Sequence, residues 1–293
     1  PYVTAGENTL FVAARDDVRS GLQPKGKQAD QYYSSGCDYT RTTGIWQTVW
    51  LEFVPETYLQ YARYYPDPQN GCVTVSGLAK GEGTLRLTAL WEGKPVGEKT
   101  IAVQDGFFTT QLDLEEIHLW EAGKGGLYTL LLSLENDQVS SYFGLRTVAF
   151  QGRKFLLNGK PLFQRFVLDQ GFYPDGIYTA PTEEDLIQDI TLSFAAGFNG
   201  ARLHEKVFEP RFLYHCDRLG YLVWGEFPNW GLDHSHPLAT EIVLNQWSEA
   251  VERDCNHPAI IGWCPFNETW GYHEEKEQNA LLSSLYKLTK RLD

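Results

Sequence analysis

From Gln151 onward the chain alternates short apolar runs with longer amphipathic stretches, and no other feature restricts its fold as much. Phe155 to Pro161 reads as a hairpin turning at Asn158-Gly159, a pair suited to a tight two-residue turn. Gln164 to Leu168 is a first strand. Thr182 to Asp185, just after Pro181, has the form of a capping box, which satisfies free N–H groups at a helix start. The helix it opens carries Leu186, Ile190, Phe194 and Ala195 at helical spacing and ends at Gly197. Phe198 to Leu203, Tyr221 to Trp224 and Ala259 to Trp263 are three further strands. Helices from Pro210 to Leu219 and from Glu241 to Asp254 separate them, and Gln278 to Leu292 follows as another. Repeated β–α units of this kind imply a parallel sheet. About 140 residues lie between Gly152 and Asp293, against roughly 250 for a closed (β/α)8 barrel. Residues 150–293 are therefore expected to form the first half of a TIM barrel.

Upstream the pattern is β. Residues 55–149 hold short strand candidates at Gly71–Gly77, Gly83–Trp91, Lys99–Val103, Gly106–Leu114 and Leu127–Leu134. Turn signals at Glu92-Gly93, Asp105-Gly106 and Gly123–Gly126 separate them, and Tyr142 to Val148 reads as an exit strand. Short strands at this spacing predict an immunoglobulin-like β-sandwich acting as a spacer. In residues 1–54, Asn8 to Arg15 and the alternating Gln47 to Phe53 read as strands, with a long polar loop from Ser20 to Arg41 between them. Two strands are too few for a complete sandwich.

Composition excludes some partners. The formal net charge of −13 argues against nucleic acid and against anionic membrane surfaces. No apolar run reaches the length of a membrane span. Cys37, Cys72, Cys216, Cys255 and Cys264 follow no zinc or redox spacing and read as free thiols.

If the four strands belong to one parallel barrel, the loops after them face one mouth, where the chemistry of such barrels sits. Asp169 and Gln170 follow the first strand, and Arg202, His204 and Glu205 the second. Glu226, Asn229 and Trp230 follow the third, and Asn267 and Glu268 the fourth. Glu268 stands among Trp263, Phe266 and Trp270, an enclosure that would favour the protonated carboxyl of a general acid. Arg202 can hold a pocket carboxylate ionised. His234-Ser235-His236 lacks a third ligand at fixed spacing and reads as loop, and His273 to Glu277 as a solvated helix start.

Asp254-Cys255-Asn256-His257-Pro258, then Ile260-Ile261, Trp263 and Asn267-Glu268, resembles the acid/base signature of glycoside hydrolase family 2, the family of β-galactosidases, β-glucuronidases and β-mannosidases. Cys255 and Cys264 depart from its usual pattern. Asn199 to His204 resembles a second signature of that family, with Glu205-Lys206 in place of Tyr-Pro. Val223 to Gly231 resembles the end of its third barrel strand, and Phe143 to Thr147 its link into the barrel. Pro1 to Leu10 and Arg41 to Leu51 resemble the last part of its opening jelly-roll domain, so the N-terminus reads as truncated.

The resemblance implies a retaining exo-β-glycosidase with Glu268 as acid/base. Asn267, Arg202, His204, Glu226, Trp263 and Asp169 would contact the substrate. The nucleophile, a Glu on a later strand, would fall beyond Asp293, leaving the fragment inactive alone. β-Galactoside is the default substrate within the family and β-glucuronide or β-mannoside the alternative. Some family members bind magnesium through a Glu, a His and the acid/base. Here Asn229 and Trp230 stand where a His would help, so neither metal nor other cofactor is expected. A carbohydrate is the expected partner, self-association is left open, and the compartment is not readable. Two other classes remain: a non-catalytic carbohydrate-binding protein, and an inverting hydrolase with carboxylates roughly 6.5–9.5 Å apart.

Overall fold

The computed structural model describes residues 3–268 and 275–293. The readings placed on Pro1-Tyr2, Trp270 and His273-Glu274 lie outside the described residues.

Seven strands form a two-layer sandwich: β1 (Tyr58–Asp67), β2 (Cys72–Lys80), β3 (Gly83–Trp91), β4 (Lys94–Val103), β5 (Gly106–Asp113), β6 (Tyr128–Leu134) and β7 (Asp137–Phe143). One sheet runs β1-β2-β5 and the other β4-β3-β6-β7. All the pairs are antiparallel. Alternation drives the packing: on β3, Leu85, Leu87 and Ala89 are fully buried while Thr84 and Arg86 face out. Each such Leu contributes about 1.5–3 kcal/mol relative to an exposed one. Val73, Val75 and Leu112 meet them from the other sheet. The Tyr128 hydroxyl donates to Glu116 O at 2.8 Å and accepts the His118 N–H at 2.6 Å. That is the tyrosine corner of immunoglobulin-like sandwiches.

The strands expected at Asn8–Arg15 and Gln47–Phe53 do not form. Outside the sandwich and barrel, residues 3–57 carry only isolated bridges, Gln28 with Tyr39 and Ser35 with Asp38. A strand exists by pairing, and these runs meet no neighbouring strand among the described residues. Their apolar side chains stay in solvent, Phe11 90% and Phe53 97% exposed. The loop between them instead packs on the barrel: the Lys25 N–H donates to Trp230 O and the Asp233 N–H to Gly21 O. The expected exit strand also divides differently. β7 stops at Phe143, and Gly144 to Thr147 form a link before β8 (Val148–Gln151).

β8 pairs with β9 (Lys154–Leu157), which turns through Asn158-Gly159 into β10 (Lys160–Pro161). Both turn residues have positive φ, 52° and 74°, as a type I′ turn requires. The parallel sheet follows, in order β11 (Phe166–Asp169), β12 (Gly200–Leu203), β13 (Leu222–Glu226) and β14 (Ile260–Cys264). Its helices are α1 (Glu183–Ala195), α2 (Pro210–Leu219), α3 (Pro237–Asp254) and α4 (Glu275–Leu292). The capping box at α1 is present, between Thr182 and Asp185. α3 begins four residues before its expected start, because the His236 side chain accepts the Leu238 N–H and Pro237 tolerates the first helical position. Leu203, Leu213, Cys216, Val223 and Ile260 join Leu186 and Ile190 in a core between sheet and helices. Among the described residues no helix is long and apolar enough to cross a membrane.

Candidate active site

Register decides which side chains meet, because neighbours in a parallel ladder share a face and the face alternates along each strand. Leu168, Arg202, Trp224 and Gly262 are aligned across the four strands. Two residues on from Trp224, Glu226 pairs with Cys264 on that same inner face. Asp169 is aligned with Leu203, and Gly225 with Trp263, on the face that packs against the helices.

Glu226 is the centre of the inner cluster. Its side chain is wholly buried, and the Arg202 Nε donates to it at 2.6 Å. A second Arg202 nitrogen reaches its other oxygen at 3.2 Å, giving the bidentate fork that makes such pairs strong. His204 Nδ1 lies 2.8 Å from the same carboxylate, which places a hydrogen on that nitrogen. The Glu205 N–H donates to it as well, at 3.0 Å. Burial alone would raise the Glu226 pKa, but the hydrogen bonds from His204, Arg202 and Glu205 outweigh it, and the carboxyl titrates below its usual range. Beside it, burial and then the Glu226 charge push the Cys264 thiol up to about 11, and its S–H faces Phe266 O.

Arg202 also bonds the Asn267 Oδ1, and Asn267 is 7% exposed. The backbone of Asn267 is clamped from the loop after β13. Its N–H donates to Asn229 Oδ1 at 2.6 Å, and its carbonyl accepts from Asn229 Nδ2 and the Trp230 indole at 3.2 and 3.0 Å. Asn267 Nδ2 has no hydrogen-bond partner among the described residues. Glu268 follows at φ 48° and is exposed. The aromatic enclosure expected around it is therefore not seen among the described residues.

The structure thus brings Arg202, His204, Glu226 and Asn267 into one cluster, with Glu268 at its edge. Asp169 and Trp263 are not in it. Asp169 is turned toward α1 and Lys206, and accepts the Gly171 N–H at 2.9 Å. Burial pushes its pKa up to about 6, against the pull of that N–H. Trp263 packs edge-on to Trp247 of α3 at 5.7 Å and donates its indole N–H to Asp293. Both residues fall on the helix-facing side because each is one position out of phase with Arg202 and Glu226.

Three residues carry more of the geometry than their letters suggest. Asn229 and Trp230 hold Asn267, and Glu205 is 1% exposed beneath them. In the sequence all three stand in the loops that follow the second and third strands of the parallel sheet, which is the signal they give. His234 meets Phe266 edge-on and His236 caps α3, so neither faces a shared ligand. Among the described residues no group of three or more His, Cys, Asp or Glu side chains is placed to hold a metal ion.

Comparison with known proteins agrees with this layout. Residues 148–293 match the glycosyl hydrolases family 2 TIM barrel domain, and residues 64–146 match glycosyl hydrolases family 2. A β-galactosidase of Thermoanaerobacterium thermosulfurigenes is 26% identical over 98% of this chain and 41% of its own length. One from Photobacterium profundum is 28% identical over 92% of this chain and 28% of its own length. This chain therefore spans less than half the length of these relatives. The solved β-glucuronidase of Faecalibacterium prausnitzii superposes with a TM-score of 0.73 at 26% identity, covering 82% of this chain and 40% of that one. A Ruminococcus gnavus β-glucuronidase in complex with D-glucuronic acid gives 0.73 at 20% identity, over 82% and 42%, a likeness of fold.

Proposed function

This chain belongs to family 2 of the glycosyl hydrolases, and on that premise we propose that it is the acid/base-bearing part of a retaining exo-β-glycosidase. The observation that carries the proposal is the clamp on Asn267. Its backbone and Oδ1 are held by Asn229, Trp230 and Arg202, while Nδ2, without a partner among the described residues, is assigned to a sugar hydroxyl next to the anomeric carbon. Fixing Asn267 fixes the start of the segment that presents Glu268.

In the proposed reaction Glu268 protonates the departing glycosidic oxygen while a second carboxylate attacks the anomeric carbon from the opposite face. A retaining enzyme needs the two about 5–5.5 Å apart. Among the described residues Glu226 is too engaged, bonded by Arg202, His204 and the Glu205 N–H, to serve as that nucleophile. We assign the nucleophile to the remainder of the barrel that the longer relatives possess. Glu268 then activates water to hydrolyse the glycosyl-enzyme. Arg202 and His204 hold Glu226 ionised, and together the three orient the sugar. Residues 1–54 are assigned to the end of a jelly-roll domain whose partner strands would cover Phe11, Trp50 and Phe53.

A β-galactoside is the favoured substrate, since the sequence relatives above are β-galactosidases. A β-glucuronide is the second reading, supported by the fold shared with the Faecalibacterium β-glucuronidase. The protein with its complete barrel should be assayed on aryl β-galactoside, β-glucuronide, β-mannoside and β-glucoside, beside Glu268→Gln. Turnover of one sugar that collapses in the variant supports the assignment. No turnover of any sugar, or a variant as active as the parent, favours a carbohydrate-binding protein.

A further inference from the structure

Glu205 is a buried carboxyl that the proposed reaction does not use. It follows His204 at the end of β12, in the left-handed region at φ 55°, and is 1% exposed. Its Oε2 accepts the Trp230 N–H at 2.9 Å, and its Oε1 has no hydrogen-bond partner among the described residues. Burying a half-satisfied carboxyl is costly, so packing alone does not explain it. What it supplies is an acceptor for the backbone of Trp230. That residue's indole in turn donates to Asn267 O, and its ring lies under the Lys27 Nζ at 3.5 Å.

We propose that Glu205 is a positioning residue for the acid/base pair, holding the Trp230 loop and through it Asn267 and Glu268. The proposal rests on the assignment of Glu268 made above. The route is continuous: Glu205 carboxyl, Trp230 backbone, Trp230 indole, Asn267 carbonyl, then the next residue, Glu268.

Titratable groups from several elements face Glu205. Glu226 comes from β13, Arg202 from β12, Lys27 from the N-terminal loop, and Tyr178 from the loop after β11. Burial first, and then the Glu226 charge, push the Glu205 pKa up to about 8, against the Trp230 N–H, Lys27 and Arg202. At neutral pH Glu205 is a neutral acid. Its ionisation above that range sets a second negative charge beside Glu226, while the carboxylate accepts the Trp230 N–H more strongly.

The test compares Glu205→Ala and Glu205→Gln in the protein with its complete barrel, on the aryl glycoside it cleaves. Misplacing a reacting group by about 1 Å costs on the order of a hundredfold. Glu205→Ala is therefore expected to lower kcat about tenfold or more, with KM changed by less than about threefold. Glu205→Gln keeps an acceptor for Trp230, so it should recover kcat to within about threefold. Alanine as active as the parent, or glutamine as impaired as alanine, would each overturn the proposal. If the alanine variant does not fold, Trp230→Phe decides: it removes the indole N–H that reaches Asn267 O and should lower kcat with KM little changed, and a parent-like kcat there would overturn the proposal. Glu268→Gln run alongside separates the two claims. Parent-like activity there removes the acid/base assignment, whereas its collapse beside a parent-like Glu205→Ala removes only the role of Glu205.

Discussion

Arg202 and Glu226 meet at 2.6 Å, and the carboxylate has no exposed surface. Such a pair is weak as a source of net stability but severe when broken, because the surviving charge is left buried and unpaired. Arg202→Ala should cost about 3–5 kcal/mol in denaturant unfolding, and Glu226→Gln less, since the amide keeps one acceptor. Equal costs for the two would show that the charge is not what matters. Glu205 gives a pH-dependent signature. Its folded-state pKa is raised from an ordinary 4.5 to about 8, so folding takes up a proton between those values. The stability this group contributes is fully present below its unfolded pKa and is lost as pH rises toward 8. Relative to the parent, Glu205→Gln should gain on the order of 1–4 kcal/mol between about pH 5 and about pH 8. A gap that does not change with pH contradicts the burial of a titrating carboxyl.

At the scale of elements, the barrel strands were legible because their apolar runs are bounded by Gly, Pro and cap residues. Phe198–Leu203 and Ala259–Trp263 lie within two residues of β12 and β14. The capping box of α1 was readable letter by letter from Thr182 to Asp185. Facing was not legible. Asp169 and Trp263 stand at strand ends like Arg202 and Glu226, but register alone sends them to the helix side, and no single strand reveals its neighbour's register. The N-terminal strands failed for a related reason: alternation in Gln47 to Phe53 is a necessary pattern for pairing, and pairing needs a partner. β1 was missed because Tyr58 to Asp67 alternates too weakly to stand out. Close approach supplies a test of the sheet itself. A Cβ on Gly200 would sit 2.2 Å from Leu222 O and 2.3 Å from the Phe166 ring. Gly200→Ala should destabilise by about 1–3 kcal/mol, read as a lowered denaturant midpoint. A neutral result would mean that β12 does not run this close to β11 and β13.

Across the whole molecule, the sandwich grips the base of β14, the strand whose far end leads to Asn267 and Glu268. Arg146 in the link donates to Pro258 O and Ile260 O, both at 2.6 Å. The Tyr142 hydroxyl donates to Asp217, which also accepts the Ala259 N–H and lies 2.6 Å from His257 Nδ1. Asn256 bonds the β1 backbone at Tyr64 N–H and Ala62 O. Burial works to lower the His257 pKa, but Asp217 prevails and raises it. Arg146→Met would leave two buried carbonyls unpaired, at about 1–3 kcal/mol each, and should split unfolding into separate sandwich and barrel transitions. One coincident transition by calorimetry and Trp fluorescence would mean that the link does not couple the units.

The central claim is that Glu268 gives its proton to the leaving oxygen, and leaving-group dependence tests that most directly. kcat/KM should be measured for the parent and Glu268→Ala on glycosides of one sugar, from a dinitrophenyl to an alkyl aglycone. A dinitrophenolate departs without protonation and an alkoxide does not. The account predicts a small loss with the first and about a 10²–10⁴-fold loss with the second. A loss of the same size for both aglycones would contradict it.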